Sequence, residues 1–426
     1  MSLQFITGNS GNGKTKYLFN RIVKEAKANP RDNYLVIVPE QFTMQTQRQL
    51  VDLSENKAIM NIDVLSFKRL AYRVFDELGI TNLTVLEETG KNLVLRKLAA
   101  QEADKLGVIG RNLNRIGYIS EVKSLLSELV QYNISPEELG RYIASGRLSD
   151  TLSDKLKDVL VLYEAFEKFM QDKYITAEEI LNVLSNVAEE SAILRNSVIA
   201  FDEFTGFTPI QNQLIKKLFV ISKKIYVTLT IDCREDIFKS RGMQELFDMP
   251  KRTVKSLTEM AAFYGIEVEE PIILDKNYRL AENEELSFME QQLFRKRRCS
   301  FKKVPKHIHI DCLRDPKQEL TKIARRINEL VRNENLRYRD IAIVTGDVNI
   351  YAGYVREIFD KYNIPYFIDA TQEILFHPFI EFIRSIPDIA AQHFSADAVF
   401  RFLRCGFTEL SASEIDVLET MCSPVE

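Results

Sequence analysis

The chain opens on LQFITGNSGNGKT, Leu3–Thr15. An apolar run passes directly into a glycine-rich loop, and the loop into a helical pattern. Gly8-Asn9-Ser10-Gly11-Asn12-Gly13-Lys14-Thr15 fits G-x-x-x-x-G-K-[ST] in full. The spacing has a physical reason. Glycines let successive backbone N–H groups turn inward around phosphate oxygens, and Lys14 reaches the outer phosphates. Thr15 offers a hydroxyl to Mg²⁺, and the helix that starts near Lys14 adds its N-terminal dipole. All eight residues are therefore candidate nucleotide-phosphate contacts.

Such a loop needs an acidic partner on a neighbouring strand. SVIAFDE, Ser197–Glu203, supplies one: an apolar run ending in Asp202 and Glu203. Asp202 is expected to hold Mg²⁺ together with Thr15, and Glu203 to orient an attacking water. Two further apolar runs, YLVIVP (Tyr34–Pro39) and KIYVTLTI (Lys224–Ile231), complete a set of buried parallel strands separated by helical patterns. The fold class expected is α/β, with doubly wound parallel sheets of the P-loop type covered on both faces.

A long helical stretch interrupts this sheet. Within it, SPEEL (Ser135–Leu139) and TAEEI (Thr176–Ile180) each place Glu three residues after a capping hydroxyl, the capping-box pattern. After about residue 265 a second α/β pattern begins. VEEPIILD, HIHIDCL, DIAIVT and IPYFID read as strands, and QELTKIARRINELV and YAGYVREIFDKY as helices. The domain expectation is therefore 1–80 and 195–265 for the phosphate-loop domain and 81–194 for a helical insertion. Residues 266–390 form the first part of a second α/β domain, and 391–426 the start of a further helical insertion. The ending VLETMCSPVE reads as part of something longer.

Composition narrows the class. The 426 residues are 45% hydrophobic and 28% charged, as in cored globular chains. No apolar run reaches the roughly 18 residues of a spanning helix, and the start lacks a secretory pattern, so a cytoplasmic protein with no membrane partner is expected. Five scattered cysteines without a C-x-x-C pair read as free thiols. His307 and His309 alternate on an expected strand, where a packed or solvated pair outweighs a metal site. A net charge of −4 gives no global attraction to nucleic acid. FRKRRCSFKKVPK, Phe294–Lys306, is the densest basic run, with exposed linker charge as its ordinary reading and a phosphate backbone as its functional one.

Several segments together resemble superfamily-1 DNA helicases of the UvrD/RecB type. DEFTGFTPIQNQLIKKL (Asp202–Leu218) is similar to their second motif. LDKNYRL (Leu274–Leu280) is similar to their fourth, in which the arginine, here Arg279, touches the γ-phosphate. VPEQFTMQTQRQL (Val38–Leu50) and IDVLSFKRLAYRVF (Ile62–Phe75) resemble the N-terminal region of AddB, the B subunit of bacterial AddAB ATP-dependent helicase–nucleases. That resemblance spans essentially the whole chain. It implies ATP and Mg²⁺ as cofactors and an AddA-type helicase–nuclease subunit as heterodimer partner. It further implies work on duplex ends and single-stranded DNA in double-strand break repair by recombination, with Chi-type sequence recognition. A nuclease domain and an iron–sulfur cluster are implied too, with no match among these residues.

The departures limit what the resemblance implies. The upstream glutamine motif that reads adenine has no counterpart before Leu3. The Gln and Asp expected after Asp-Glu-Phe are Thr205 and Gly206. The segment TIDCRED (Thr230–Asp236) has an acid but lacks the glutamine that links γ-phosphate to DNA. The expectation is a nucleotide-binding, DNA-contacting module that does not itself translocate. The alternatives are an active ATP-driven helicase motor or a P-loop kinase of a small substrate. Candidate single-strand contacts lie in loops after strands: Gln41, Thr43 and Gln45 after the second, and Ser66, Phe67, Lys68 and Arg69 after the third.

Overall fold

The computed structural model describes residues 1–81, 84–108, 110, 117–145, 148–170, 174–295, 299–369, 374 and 376–422. They form two compact units, Met1–Ile308 and His309–Glu426.

The first unit is built on a parallel sheet. Its strands are β1 (Ser2–Gly8), β2 (Tyr34–Ile37), β3 (Ile62–Leu65), β6 (Val198–Phe201), β7 (Lys224–Thr230), β8 (Glu267–Val268) and β9 (Ile272–Leu274). The order is β3-β2-β6-β7-β1-β8, with β9 also pairing with β1. Ile37 pairs with Leu65 and Phe201, Phe201 with Val227, and Val227 with Phe5. One row of the sheet is thereby apolar from β3 to β1.

Helices cover both faces, as continuous apolar strands require. Helices α1 (Lys14–Ala28) and α2 (Thr43–Leu53) lie over Ile6, Val36, Ala200 and Tyr226. On the other face α3 (Phe67–Leu78), α8 (Ile180–Val187), α9 (Pro209–Ile221) and α10 (Asp248–Phe263) lie over Phe5, Ile37, Phe201 and Val227. The alternation of side chains along each strand assigns these two sets to opposite faces. The doubly wound α/β expectation is met.

The helical insertion has its own core. Two short strands, β4 (Val85–Leu86) and β5 (Ile175–Thr176), pair with each other. Helices α4 (Glu88–Gln101), α5 (Tyr118–Gln131), α6 (Pro136–Ala144) and α7 (Asp150–Met170) bury Leu95, Leu126, Leu139, Leu162 and Phe166 together. Ser135 caps α6 as expected, whereas Thr176 lies in β5 and α8 starts only at Ile180, so its reciprocal bonds with Glu179 close the turn before that helix. Ser135 accepts the Glu138 N–H at 3.3 Å. Thr176 and Glu179 bond reciprocally at 2.6 and 3.2 Å.

The boundary expected at 266 is corrected. VEEPIILD splits at Pro271 into β8 and β9, and both pair with β1. They close the outer side of β1, so they belong to the first sheet. Helix α11 (Glu284–Gln292) follows in the same unit.

The second unit carries α12 (Pro316–Asn333), α13 (Val348–Lys361), α14 (Pro378–Ala391), α15 (Ala396–Leu403) and α16 (Ala412–Cys422). Helices α12 and α13 pack through Leu320, Ala324, Ile327, Ile358 and Phe359. The expected strands HIHIDCL, DIAIVT and IPYFID are not strands among the described residues. Ile310, Val344 and Phe367 are exposed in them. Strand preference is expressed only through cross-strand partners, and these runs have none in the described structure. His307 and His309 accordingly do not share a strand face; both are exposed, and no group of metal-ligating side chains occurs among the described residues. No described helix is long and apolar enough to cross a membrane.

The aromatic row gives a stability test. Phe201 is 1% exposed and stacks on Phe67 with ring centroids 5.8 Å apart, while Phe263 is 82% exposed. Phe201→Ala should cost about 3–5 kcal/mol and Phe263→Ala less than about 0.5 kcal/mol, read as urea midpoint shifts at constant m-value. Equal midpoints for the two variants would contradict this packing.

Candidate nucleotide site and nucleic-acid interface

The cradle begins where β1 stops. Gly8 pairs with Thr230 of β7 on one side and Leu274 of β9 on the other. The loop then turns through Gly11 at φ 88° and Gly13 at φ 79°, left-handed conformations that glycine adopts without a Cβ penalty. A Cβ on Gly11 would also lie 2.7 Å from Asn277 Oδ1. Gly13 caps α1 without a side-chain bond, and the first turn of α1 carries no acid. Its leading N–H groups are left for an anion. Lys14 Nζ donates to the carbonyls of Gly8 and Asn9 at 3.1 and 3.0 Å. Burial holds its pKa below the ordinary lysine value, against the opposing pull of Glu203 and Asp202.

The two carboxylates differ in kind. Asp202 follows β6 and is 1% exposed. Its Oδ1 accepts the Thr228 hydroxyl, while Oδ2 is buried without a partner among the described residues. Desolvation raises its pKa despite the Thr228 bond. Glu203 is exposed and sits at φ 63°, a strained conformation for a residue with a Cβ. It accepts the Thr15 hydroxyl at 3.3 Å. An orphaned carboxylate oxygen, a hydroxyl and a phosphate cradle suit Mg²⁺, which commonly takes one or two carboxylates and completes its shell with phosphate and water.

The fourth wall is the segment after β9. Asn12 Nδ2 donates to the Leu274 carbonyl at 2.6 Å, and Asn277 Nδ2 to the Ser10 carbonyl at 3.0 Å. The Tyr278 N–H bonds the Gly11 carbonyl at 3.0 Å, and Arg279 Nη1 reaches Ser10 Oγ at 3.4 Å. Asn-Tyr-Arg is thus stitched along the phosphate loop. A cavity of about 770 Å³ is lined by Gly11, Gly13, Lys14, Thr15, Asp202, Glu203, Thr205, Tyr278 and Arg279, among others. Of the expected residues, Ser10, Gly11, Gly13, Lys14, Thr15, Asp202, Glu203 and Arg279 line one cavity, whereas Gly8 does not, and the side chains of Asn9 and Asn12 turn away to Glu290 and the Leu274 carbonyl. Tyr278 and Thr228 were not singled out from sequence. Tyr278 had a signal in its place inside Asn-Tyr-Arg, whereas Thr228 had only strand register.

Sequence alone also gave no role to Asp232. It is 2% exposed and held by Arg234 at 2.6 Å and Arg295 at 2.5 Å. The Arg pair keeps its carboxyl below the usual range although burial opposes this. The acid of TIDCRED is therefore engaged in ion pairs. Arg295, from the basic run, also bonds Glu235 at 3.2 Å; residues 296–298 of that run lie outside the described residues.

The loop residues expected to touch single strands divide in two. Gln41, Gln45, Lys68 and Arg69 are exposed. Thr43, Ser66 and Phe67 are turned inward, which corrects their assignment as surface contacts. Thr43 Oγ donates to the Glu40 carbonyl at 3.0 Å. Ser66 caps α3 by accepting the Arg69 N–H at 3.3 Å, and its hydroxyl donates to Glu40. Phe67 packs between Phe201, Phe204 and Phe207. Glu40 also holds Arg69 at 3.0 Å, and the Ser66 hydroxyl and Arg69 together keep its carboxyl below the usual range. This acid, missed in the sequence, joins the loops after β2 and β3.

Comparison with known proteins places this geometry in a family. Residues 5–290 match the family model described as "ADDB, N-terminal". The chain is 38% identical over 424 residues to the B subunit of the ATP-dependent helicase/deoxyribonuclease of Lachnoclostridium phytofermentans, covering 98% of this chain and 37% of the relative. It is 33% identical over 428 residues to the protein of the same name in Clostridium tetani, with 98% and 37% covered. The corresponding figures for Caldanaerobacter subterraneus are 34% over 422 residues, with 98% and 36% covered. The chain thus spans somewhat over a third of the length of these relatives. With a family model matched over most of the first unit, including the phosphate loop, Asp202, Glu203 and Arg279, the chain belongs to the AddB family and corresponds to its N-terminal region.

Proposed function

We propose that this chain is the N-terminal region of the B subunit of an ATP-dependent helicase–exonuclease for double-strand break repair. In this reading it binds ATP at the phosphate loop and contacts single-stranded DNA without translocating. An AddA-type subunit is its partner, and the cytoplasm its compartment. The observation that carries the reading is the single cavity in which the glycine cradle, Lys14, Asp202, Glu203 and Arg279 meet.

Each residue has a physical task. The N-terminal N–H groups of α1 and the Lys14 ammonium bind phosphate charge. Thr15 and Asp202 would hold Mg²⁺, which when bound offsets charge on the outer phosphates. Glu203 accepts a hydrogen bond from a water beside the terminal phosphate, and Arg279 reaches that phosphate from the opposite wall. Gln41, Gln45, Lys68 and Arg69 present hydrogen-bonding groups and positive charge toward a DNA strand. Chi-type recognition would use the same loops.

A motor needs a group that reports the γ-phosphate to the DNA surface. Thr205 lacks the amide of the glutamine that stands there in active helicases, and Asp232 is committed to Arg234 and Arg295. These features favour nucleotide binding as structural or regulatory in this subunit. The active-motor reading keeps support from the complete set of phosphate-loop residues.

Two outcomes test the site. Lys14→Ala should weaken binding of a fluorescent ADP analogue about 10- to 100-fold, the worth of a charge-assisted bond; unchanged affinity would remove the phosphate loop from the function. Asp202 has a folded-state pKa raised above its unfolded value, so its carboxylate opposes folding at neutral pH. The opposition disappears as pH falls below the ordinary carboxylate range, where both states are protonated. Asp202→Asn should therefore raise the melting temperature at pH 7 and not at pH 3, while reducing Mg²⁺-dependent nucleotide affinity. A lowered melting temperature at pH 7 would contradict the desolvated carboxylate.

A further inference from the structure

Asn9 stands where two contacts cross. Its carbonyl accepts the Lys14 ammonium at 3.0 Å, and its side-chain Nδ2 donates to Glu290 Oε1 at 2.7 Å. The residue is buried, and its Oδ1 has no partner among the described residues. Glu290 lies on α11. The next residue's carbonyl, that of Gln291, accepts Arg234 Nη2 at 3.4 Å. Arg234 forks onto Asp232, which Arg295 also holds. Arg295 reaches Glu235 at 3.2 Å and lies 5.1 Å over the Phe247 ring. Lys251, 4% exposed, ties Glu235 at 2.7 Å to Glu245 at 3.1 Å. Two residues on, the Thr253 hydroxyl donates to the Thr205 carbonyl at 3.2 Å.

We propose that Asn9 and Glu290 are positioning residues that pass the state of the phosphate loop through α11 and the Asp232 ion cluster to residues 232–247 and the Thr205 loop. The route occupies the place of the glutamine that TIDCRED lacks, and it rests on the nucleotide-binding reading above. Its first step is a competition. A polyphosphate forms stronger bonds to an ammonium than backbone carbonyls do, so nucleotide draws Lys14 away from Gly8 and Asn9. The Asn9 carbonyl is released, and the Asn9 amide, fixed to Glu290, moves that carboxylate with it. Beyond Glu290 the exposed Arg234 leads to Asp232 and Lys251, which are 2% and 4% exposed, and neither of these buried charges can lose its partners without a large desolvation penalty. The cluster therefore shifts as a unit.

Hydrogen exchange of the full chain, with and without ADP or a non-hydrolysable ATP analogue plus Mg²⁺, tests this alongside nucleotide affinity. Wild type should bind nucleotide and change exchange across residues 232–247 on the order of fivefold, the lower range of coupled sites. Glu290→Ala should still bind nucleotide but lose that change. Glu290→Gln keeps an acceptor oxygen for Asn9 and should retain it, which separates positioning from loss of fold. Wild type that binds nucleotide without the change overturns the relay alone. So does Glu290→Ala that binds and changes as wild type does. Wild type that binds no nucleotide overturns both the relay and the reading on which it rests.

Discussion

The parallel ladder joining β6, β7 and β1 is the constraint on which the site depends. Its register sets Phe201 beside Val227 and Val227 beside Phe5. Three residues beyond Phe5, Gly8 opens the phosphate loop. One residue beyond Phe201, Asp202 reaches the Thr228 hydroxyl on the adjacent strand. A slip of one residue in this register would turn Thr228 to the other face and take its hydroxyl from Asp202. The apolar strand interiors thus fix the spacing of polar groups at their ends. Ligand sites in open α/β sheets lie at such carboxyl ends.

Part of this was legible in the sequence because it is local. The phosphate loop is a contiguous motif with one backbone solution, and Gly11 and Gly13 adopt the left-handed conformations that solution needs. The buried strands were legible as uninterrupted apolar runs, and Ser135 as a cap by its spacing to Glu138. Other features depend on distant partners. Nothing near Glu40 announces that it bonds Ser66 and Arg69 from the next strand's loop. Asp232 was only the acid of TIDCRED in the sequence, and its partner Arg295 comes from sixty-three positions later.

The misreadings have the same origin. LSFKRL offers an aromatic beside two cations, the pattern of a stacking platform. Ser66 is the cap of α3 and Phe67 its first residue, and Phe67 packs against Phe201, Phe204 and Phe207. DIAIVT and IPYFID have strand composition but no partner among the described residues. VEEPIILD has the same composition and finds β1, so it forms strands.

The central claim is that the phosphate loop binds nucleotide in a subunit that is not itself a motor. Steady-state ATP hydrolysis by the chain, titrated with single-stranded DNA alongside nucleotide binding, tests it most directly. The account predicts saturable nucleotide binding with turnover that DNA does not stimulate. Turnover that rises with DNA and is abolished by Lys14→Ala would contradict it.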